Sequence, residues 1–377
     1  MFNPNHAHMT FNRRVGTAIA ACLPVALLVY NATMARAAGP SHDADAQARA
    51  SWSAAMAEKP APSKGCFTAS YPSRIWRQVA CTAAPARRFL PRSGLAGLTV
   101  GDGNDYAAAA VDGLLSETIG AFPTVKGVKS ETGMAGANDY SLQLNSQFYT
   151  TKACDHASDP SQCLGWQQFV YSSNPNSDGT GYGFMQYWLI NYGSNCPTTG
   201  SVTWMSYRED CYANSNAVLV PLQDITKLKY LKVTGKAVSK GVDTFTLTTE
   251  SDAYSVTGDD SVVYLAKSWN ASEFNVIGDG DGSEADFNNG ASVTVKISLK
   301  DGLKTAPDCE SGAGTTAETN NLEVARQAHH RIRLNLLNRI DVTEKGRACR
   351  RALSPKKPFF EKRTKNFCSF GSATAST

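Results

Sequence analysis

The stretch from Leu164 to Tyr192 constrains the fold most. It reads LGWQQFVYSS, then a polar connector NPNSDGTG, then YGFMQYWLINY. Two aromatic-rich runs around a turn-rich connector read as a long hairpin. Strand alternation puts Trp166, Gln168 and Val170 on one face and Gln167, Phe169 and Tyr171 on the other. In the second run Tyr182, Phe184, Gln186 and Trp188 share a face, opposite Met185, Tyr187 and Leu189. One face of such a hairpin is core. The other is either more core, with satisfied amides, or a polar-aromatic floor that grips a chain molecule.

Short runs rich in Val, Tyr, Phe and Thr continue on both sides, separated by Gly, Asn, Asp and Ser clusters. Strands are expected at 107–114, 118–125, 140–150, 165–172, 183–192, 217–221, 230–234, 244–249, 253–257, 261–266, 272–277 and 292–298. A turn is expected near 221–227, and no convincing helical stripe interrupts them. So many short strands predict an all-β, two-sheet antiparallel β-sandwich of the concanavalin/legume-lectin-like class.

The organisation follows from composition. Arg13 and Arg14 precede an apolar run, Val15 to Tyr30, and the small-residue site Ala35-Arg36-Ala37 follows. Residues 1–37 therefore read as a secretory signal peptide, and the protein as secreted, extracellular or periplasmic. The apolar run is short against the roughly 20 residues of a spanning helix, so no stable membrane insertion is expected after cleavage. Residues 38–64 are rich in Ala, Ser and Pro and read as an unstructured linker. Residues 65–97 read as an irregular, cysteine-tied lead-in, 98–310 as the sandwich, and 311–377 as a basic tail. Apolar spacing at Ile332, Leu336 and Ile340 predicts an amphipathic helix in that tail.

Ten cysteines suit an exported chain. Cys66 with Cys81, Cys154 with Cys163, and Cys196 with Cys211 are near in sequence and read as three disulfides. Cys309, Cys349 and Cys368 are left without an assigned pairing. Residues 65–310 hold 18 Lys and Arg against 25 Asp and Glu, whereas 323–366 hold 13 against 4. An acidic exported domain has no electrostatic footprint for nucleic acid. Oligomeric state has no sequence signal.

Residues 65–310 contain one histidine, His156, inside the Cys154–Cys163 loop. Histidine-dependent nucleophilic sites need a positioned imidazole, and GxSxG, HExxH and P-loop patterns do not occur. The run Asp279-Gly-Asp281-Gly-Ser283-Glu284 carries oxygen groups at alternate positions, but it lacks the EF-hand glycine and closing glutamate. It reads equally well as a turn, and no metal or cofactor is assigned. Glu273 lies among apolar neighbours, which disfavour its charged form and suit it to general acid/base work on water. A glutamine amide can donate to a developing oxyanion. A strand-edge glutamate facing solvent is the competing reading.

Several stretches resemble the glutamic peptidase (eqolisin) family. They are Leu114–Val125, Gly165–Val170, Tyr182–Tyr192, Ser272–Val276 with Ala285–Phe287, and Ser292–Val295. The resemblance implies a secreted, acid-active endopeptidase on a β-sandwich, using a Glu–Gln dyad. It implies Glu273 as general acid/base, and Gln167, with Gln168 as the other candidate, as the oxyanion donor. Phe274 stands where the family carries tryptophan, and Tyr187 or Gln186 where it carries a glutamate. Trp166, Tyr187, Trp188 and Gln186 are the expected substrate-binding residues, the partner being polypeptide. The alternative is a non-catalytic module that binds glycans or surfaces through the same aromatic and amide side chains.

Overall fold

The computed structural model describes residues 42–92, 106–174, 179–303, 305–311, 314–324 and 347–355. Signal-peptide residues 1–37 and the helical spacing at 332–340 lie outside them.

Two large antiparallel sheets form the body. One has nine strands, in the order Arg77–Val79, Cys66–Ser70, Asp252–Asp259, Val242–Thr248, Lys232–Lys236, Glu117–Lys126, Ser292–Lys300, Arg347–Pro355 and Leu322–Val324. The other runs Met205–Tyr207, Asp210–Asn214, Thr180–Ile190, Leu164–Ser172, Tyr140–Ser146, Ala271–Gly278, Tyr106–Ala109 and Asp308–Ser311. Asn216–Pro221 extends it along the far half of Thr180–Ile190. The fold is the all-β sandwich expected from the strand spacing.

The core lies between the sheets. Phe169, Tyr171, Met185, Tyr187 and Leu189 meet Val233, Phe245, Leu247, Val256 and Val295, all fully buried. Strand glycines seat aromatic rings from across the gap. A Cβ added to Gly235 would lie 2.6 Å from the Phe169 ring, one on Gly183 2.3 Å from Phe245, and one on Gly120 2.2 Å from Phe274. These contacts lock the two leaves in register.

The hairpin pairs as its sequence predicts, with Trp188 opposite Trp166 and Gln186 opposite Gln168. The three expected disulfides are present, with Cα separations of 5.3, 5.7 and 5.6 Å. Cys309 is also disulfide-bonded.

Three expectations need correction. Part of the linker is a helix, His42–Glu58. Its Trp52 and Met56, one turn apart, bury themselves against Phe67, Ala69, Trp76 and Ala253. So narrow an apolar stripe in Ala/Ser-rich sequence gives little periodic signal. The expected strand at 261–266 is two short 3₁₀ turns, Asp260–Val262 and Leu265–Lys267. There the Asp260 carboxylate accepts the main-chain N–H of Ala266 at 2.9 Å, an alternative to a sheet ladder. Finally, some of the described residues beyond 310, expected as a basic tail, belong to the sheets. Arg347–Pro355 pairs with Ser292–Lys300, and Thr319–Asn320 pairs with Glu284–Phe287. Strand pairing uses main-chain groups, which a basic composition does not forbid. Among the described residues no helix is long and apolar enough to cross a membrane.

The interlock is testable by overpacking. Gly183→Ala forces a methyl group into the Phe245 ring and should destabilise by about 1–3 kcal/mol. Urea unfolding reads this directly, and an unchanged midpoint would contradict the interlock.

Candidate functional site

Phe274 faces the core, so its neighbour Glu273 must face the other way. Glu273 pairs with Asn145, Asn145 with Gln168, Gln168 with Gln186, and Gln186 with Asn214. One polar row therefore crosses five adjacent strands on the outer face of the ten-stranded sheet. Gln143 and Asn275, two residues further along their strands, form part of a second row. All of these except Asn214 are at most 1% exposed.

Three donors fix one oxygen of Glu273. Thr315 donates both its main-chain N–H (2.7 Å) and its hydroxyl (2.5 Å) to Oε2, and Asn145 Nδ2 approaches the same atom at 3.4 Å. Trp166 Nε1 donates to the Thr315 hydroxyl at 3.1 Å. Asn145 Nδ2 and Gln168 Nε2 both donate to Gln143 Oε1, at 3.3 and 2.9 Å. A relay of amides thus joins Gln168 to Glu273. Gln168 Oε1 and Asn145 Oδ1 are buried with no partner among the described residues. Buried polar atoms left so are costly and call for an explanation.

Gln167 does not belong to this face. It points between the sheets, where its Nε2 donates to Asp243 Oδ2 of the opposite sheet at 2.9 Å. It cannot share a water with Glu273, because alternation sends it to the other side of the strand. Tyr187 is corrected for the same reason. It is fully buried in the core, and burial first, then nearby Asp243, pushes its phenol well above its ordinary value.

Trp166, Trp188 and Gln186 do lie on the Glu273 face, but they are covered. Trp188 stacks on Tyr212 at 5.1 Å and neighbours Trp166 at 6.3 Å, and neither tryptophan is exposed. The cover is the lead-in segment, together with Thr315–Glu318. Phe89 N donates to Gln186 Oε1 at 2.8 Å, and Gln186 Nε2 donates to Arg87 O at 3.0 Å. Two surface cavities lie elsewhere. One, about 330 Å³, is lined by Thr151, Lys152, Tyr264 and Lys267, and another, about 190 Å³, by Gln223, Tyr230 and Glu250.

Beside the face is a buried group of carboxyls. Arg87 reaches Asp139 at 3.3 Å and Asp279 at 3.1 Å. Burial pushes Asp279 up to about 7, with Arg87 opposing, and burial then Asp139 and Asp279 push Glu131 up to about 8. The acidic run from Asp279 is a turn, with positive φ at Gly280, Asp281 and Gly282, and its Asp281 pairs with Arg88 at 2.9 Å. His156 is exposed. Sequence reasoning missed Asn145, Gln143, Asn275 and Thr315. The alternation of Gln143 and Asn145 in YSLQLNS, and of Glu273 and Asn275 in SEFNV, was the available signal.

No family model and no curated protein matches the chain. Solved structures similar in part include two peptidases. One is a scytalido-glutamic peptidase with a transition-state analogue inhibitor, at 11% identity and a TM-score of 0.31. The other is SCP-B, a member of the eqolisin family of peptidases, in complex with a tripeptide, at 13% identity and a TM-score of 0.29. Each match covers 68% of this chain and the whole of the other. Overlap this low carries nothing over to the chemistry of the present site, which rests on its own residues.

The raised carboxyls set a pH dependence. Burial also pushes Asp243 up to about 8, against its Gln167 bond. Asp243, Glu131 and Asp279 keep protons in the fold that the unfolded chain loses near its ordinary carboxyl values. Native protein therefore binds more protons between about pH 4 and 8, and stability falls as pH rises through that window. Asp159 and Asp224, lowered by local bonds, act in the opposite sense. Urea midpoints should drop from about pH 4.5 to pH 7.5 by an equivalent of a few kcal/mol. A flat or rising profile would contradict the burial of these groups.

Proposed function

We propose that the protein is an exported, acid-active endopeptidase in which Glu273 and Gln168 act on the peptide bond. The observation that carries this reading is the shared face of Glu273 and Gln168, joined through Asn145 and Gln143. Two strand spacings of about 4.8 Å separate their backbones, with Asn145 between them. The disulfides, Cys66–Cys81, Cys154–Cys163 and Cys196–Cys211 among them, fit an oxidising compartment outside the cytosol.

The chemistry follows from the side chains. Glu273 takes a proton from the attacking water and returns it to the departing amine. Gln168 has two amide N–H donors, of which one is used on Gln143. The other is suited to the oxygen that gains charge in the tetrahedral intermediate. Thr315 and Asn145 hold the Glu273 carboxylate in one orientation, which is how positioned groups lower a barrier. A glycan-binding module would expose its aromatic rings, whereas here Trp166 and Trp188 are buried beneath other residues.

The test is proteolysis of an unfolded protein substrate by the purified exported chain, scanned from about pH 3 to 7. Cleavage confined to the acid side, indifferent to chelators and reduced roughly a hundredfold or more in Glu273→Gln, is the expected result. Cleavage that survives Glu273→Gln would overturn it.

A further inference from the structure

A cavity of about 330 Å³ opens between residues 150–155 and residues 264–268, and no residue of the Glu273 row lines it. Its walls are tied together. Thr151 Oγ1 donates to Val263 O at 2.7 Å, Ser268 Oγ to Thr150 O at 3.3 Å, and Gln147 Nε2 to Ser268 O at 2.6 Å. A cleft held in shape by such bonds is pre-organised, so little is lost in ordering it around a ligand. At its rim Lys152, Asp155 and Lys267 are exposed, and none of the three enters an ion pair among the described residues. Lys64, Lys236 and Lys300, by contrast, reach Asp259 or Glu117. Lys267 Nζ stands over the Tyr264 ring, 5.7 Å from its centroid.

We propose that this cavity is a binding site for one unit of an acidic polysaccharide, a pyranose ring that bears a carboxylate or a sulfate. Such a site holds the exported chain on a glycan surface, and it does not depend on Glu273 or Gln168.

Tyr264 gives the first indication. Its backbone is left-handed, with φ 56° and ψ 40°, a conformation that bulky residues rarely adopt. Its N–H donates to Asp260 O at 2.6 Å and its carbonyl accepts Lys267 N at 3.2 Å, which pins it there. Strain of this kind clusters at ligand clamps. Glycine adopts the same conformation freely, and what tyrosine adds is an aromatic wall to the cavity. Charge gives the second indication. Two uncommitted ammonium groups at one cleft of an acidic domain draw in an anion. The ligand is more than a bare oxyanion, because the cavity is of the size that takes small organic molecules. A sugar acid uses every group present. Its C–H face suits the Tyr264 ring, and its acid group suits Lys152 and Lys267. Asp155, which repels a compact polyanion, accepts the ring hydroxyls.

The probes are three labelled oligosaccharides of equal length, one built of uronic acid units, one sulfated and one neutral, titrated into the full exported chain. At least one acidic probe should bind at least about tenfold tighter than the neutral one. Binding of the uronate alone identifies a carboxylate ligand, of the sulfated probe alone a sulfate, and of both the shared chemistry. Added salt should weaken the acidic binding, since the rim is exposed. The pair Lys152→Ala and Lys267→Ala, made on exposed side chains, should bind at least about tenfold more weakly with the urea midpoint unchanged. Tyr264→Gly should also lose binding while keeping the fold, because glycine relieves the left-handed backbone. Absence of binding by the folded chain, or equal binding of acidic and neutral probes, overturns the proposal. So does acidic binding that survives the paired lysine substitution. Free acetate or sulfate competing as strongly as the acidic probe overturns it too, since no sugar ring is then recognised. None of these readouts involves bond cleavage, so an inert Glu273 would leave them intact.

Discussion

Seating rings of one sheet on glycines of the other is the contact from which the site follows. Phe274 on Gly120, Phe169 on Gly235 and Phe245 on Gly183 leave no room for either leaf to slip. In a strand a slip of one residue turns every side chain to the opposite face. With Phe274 held inward, Glu273 is outward. With Phe169 held inward, Gln168 is outward and Gln167 is not. The chemistry of the outer face is thus settled by packing on the inner one.

The outer face carries a cost. A row of amides and a carboxylate, Glu273 through Gln186, is taken out of water and only partly satisfied by Thr315, Gln143 and the main chain of residues 87–90. Burial also leaves Asp243, Glu131 and Asp279 with raised proton affinities. A fold built on such groups gains from acid where most proteins lose.

Much of the fold was legible because period-two patterns were strong. The aromatic hairpin, the sandwich and the three local disulfides needed only alternation and spacing. The site was half legible. Glu273 stood out in an apolar strand, but adjacent Gln167 and Gln168 cannot be separated without knowing which face meets the other sheet, and that depends on Gly235 across the gap. Thr315 was out of reach because it approaches Glu273 from a segment whose composition reads as tail. The helix His42–Glu58 was missed because Trp52 and Met56 are its only large buried residues. The strand Arg347–Pro355 was missed because its basic residues mask a pairing made by the main chain.

The most direct test compares the two adjacent glutamines by acid proteolysis of an unfolded protein substrate. The register of the sheet predicts that Gln168→Ala lowers kcat/KM by roughly a hundredfold with little change in stability. Gln167→Ala should keep activity and lower stability, since it removes the partner of buried Asp243. The opposite pattern, activity lost with Gln167 and kept without Gln168, would contradict the account.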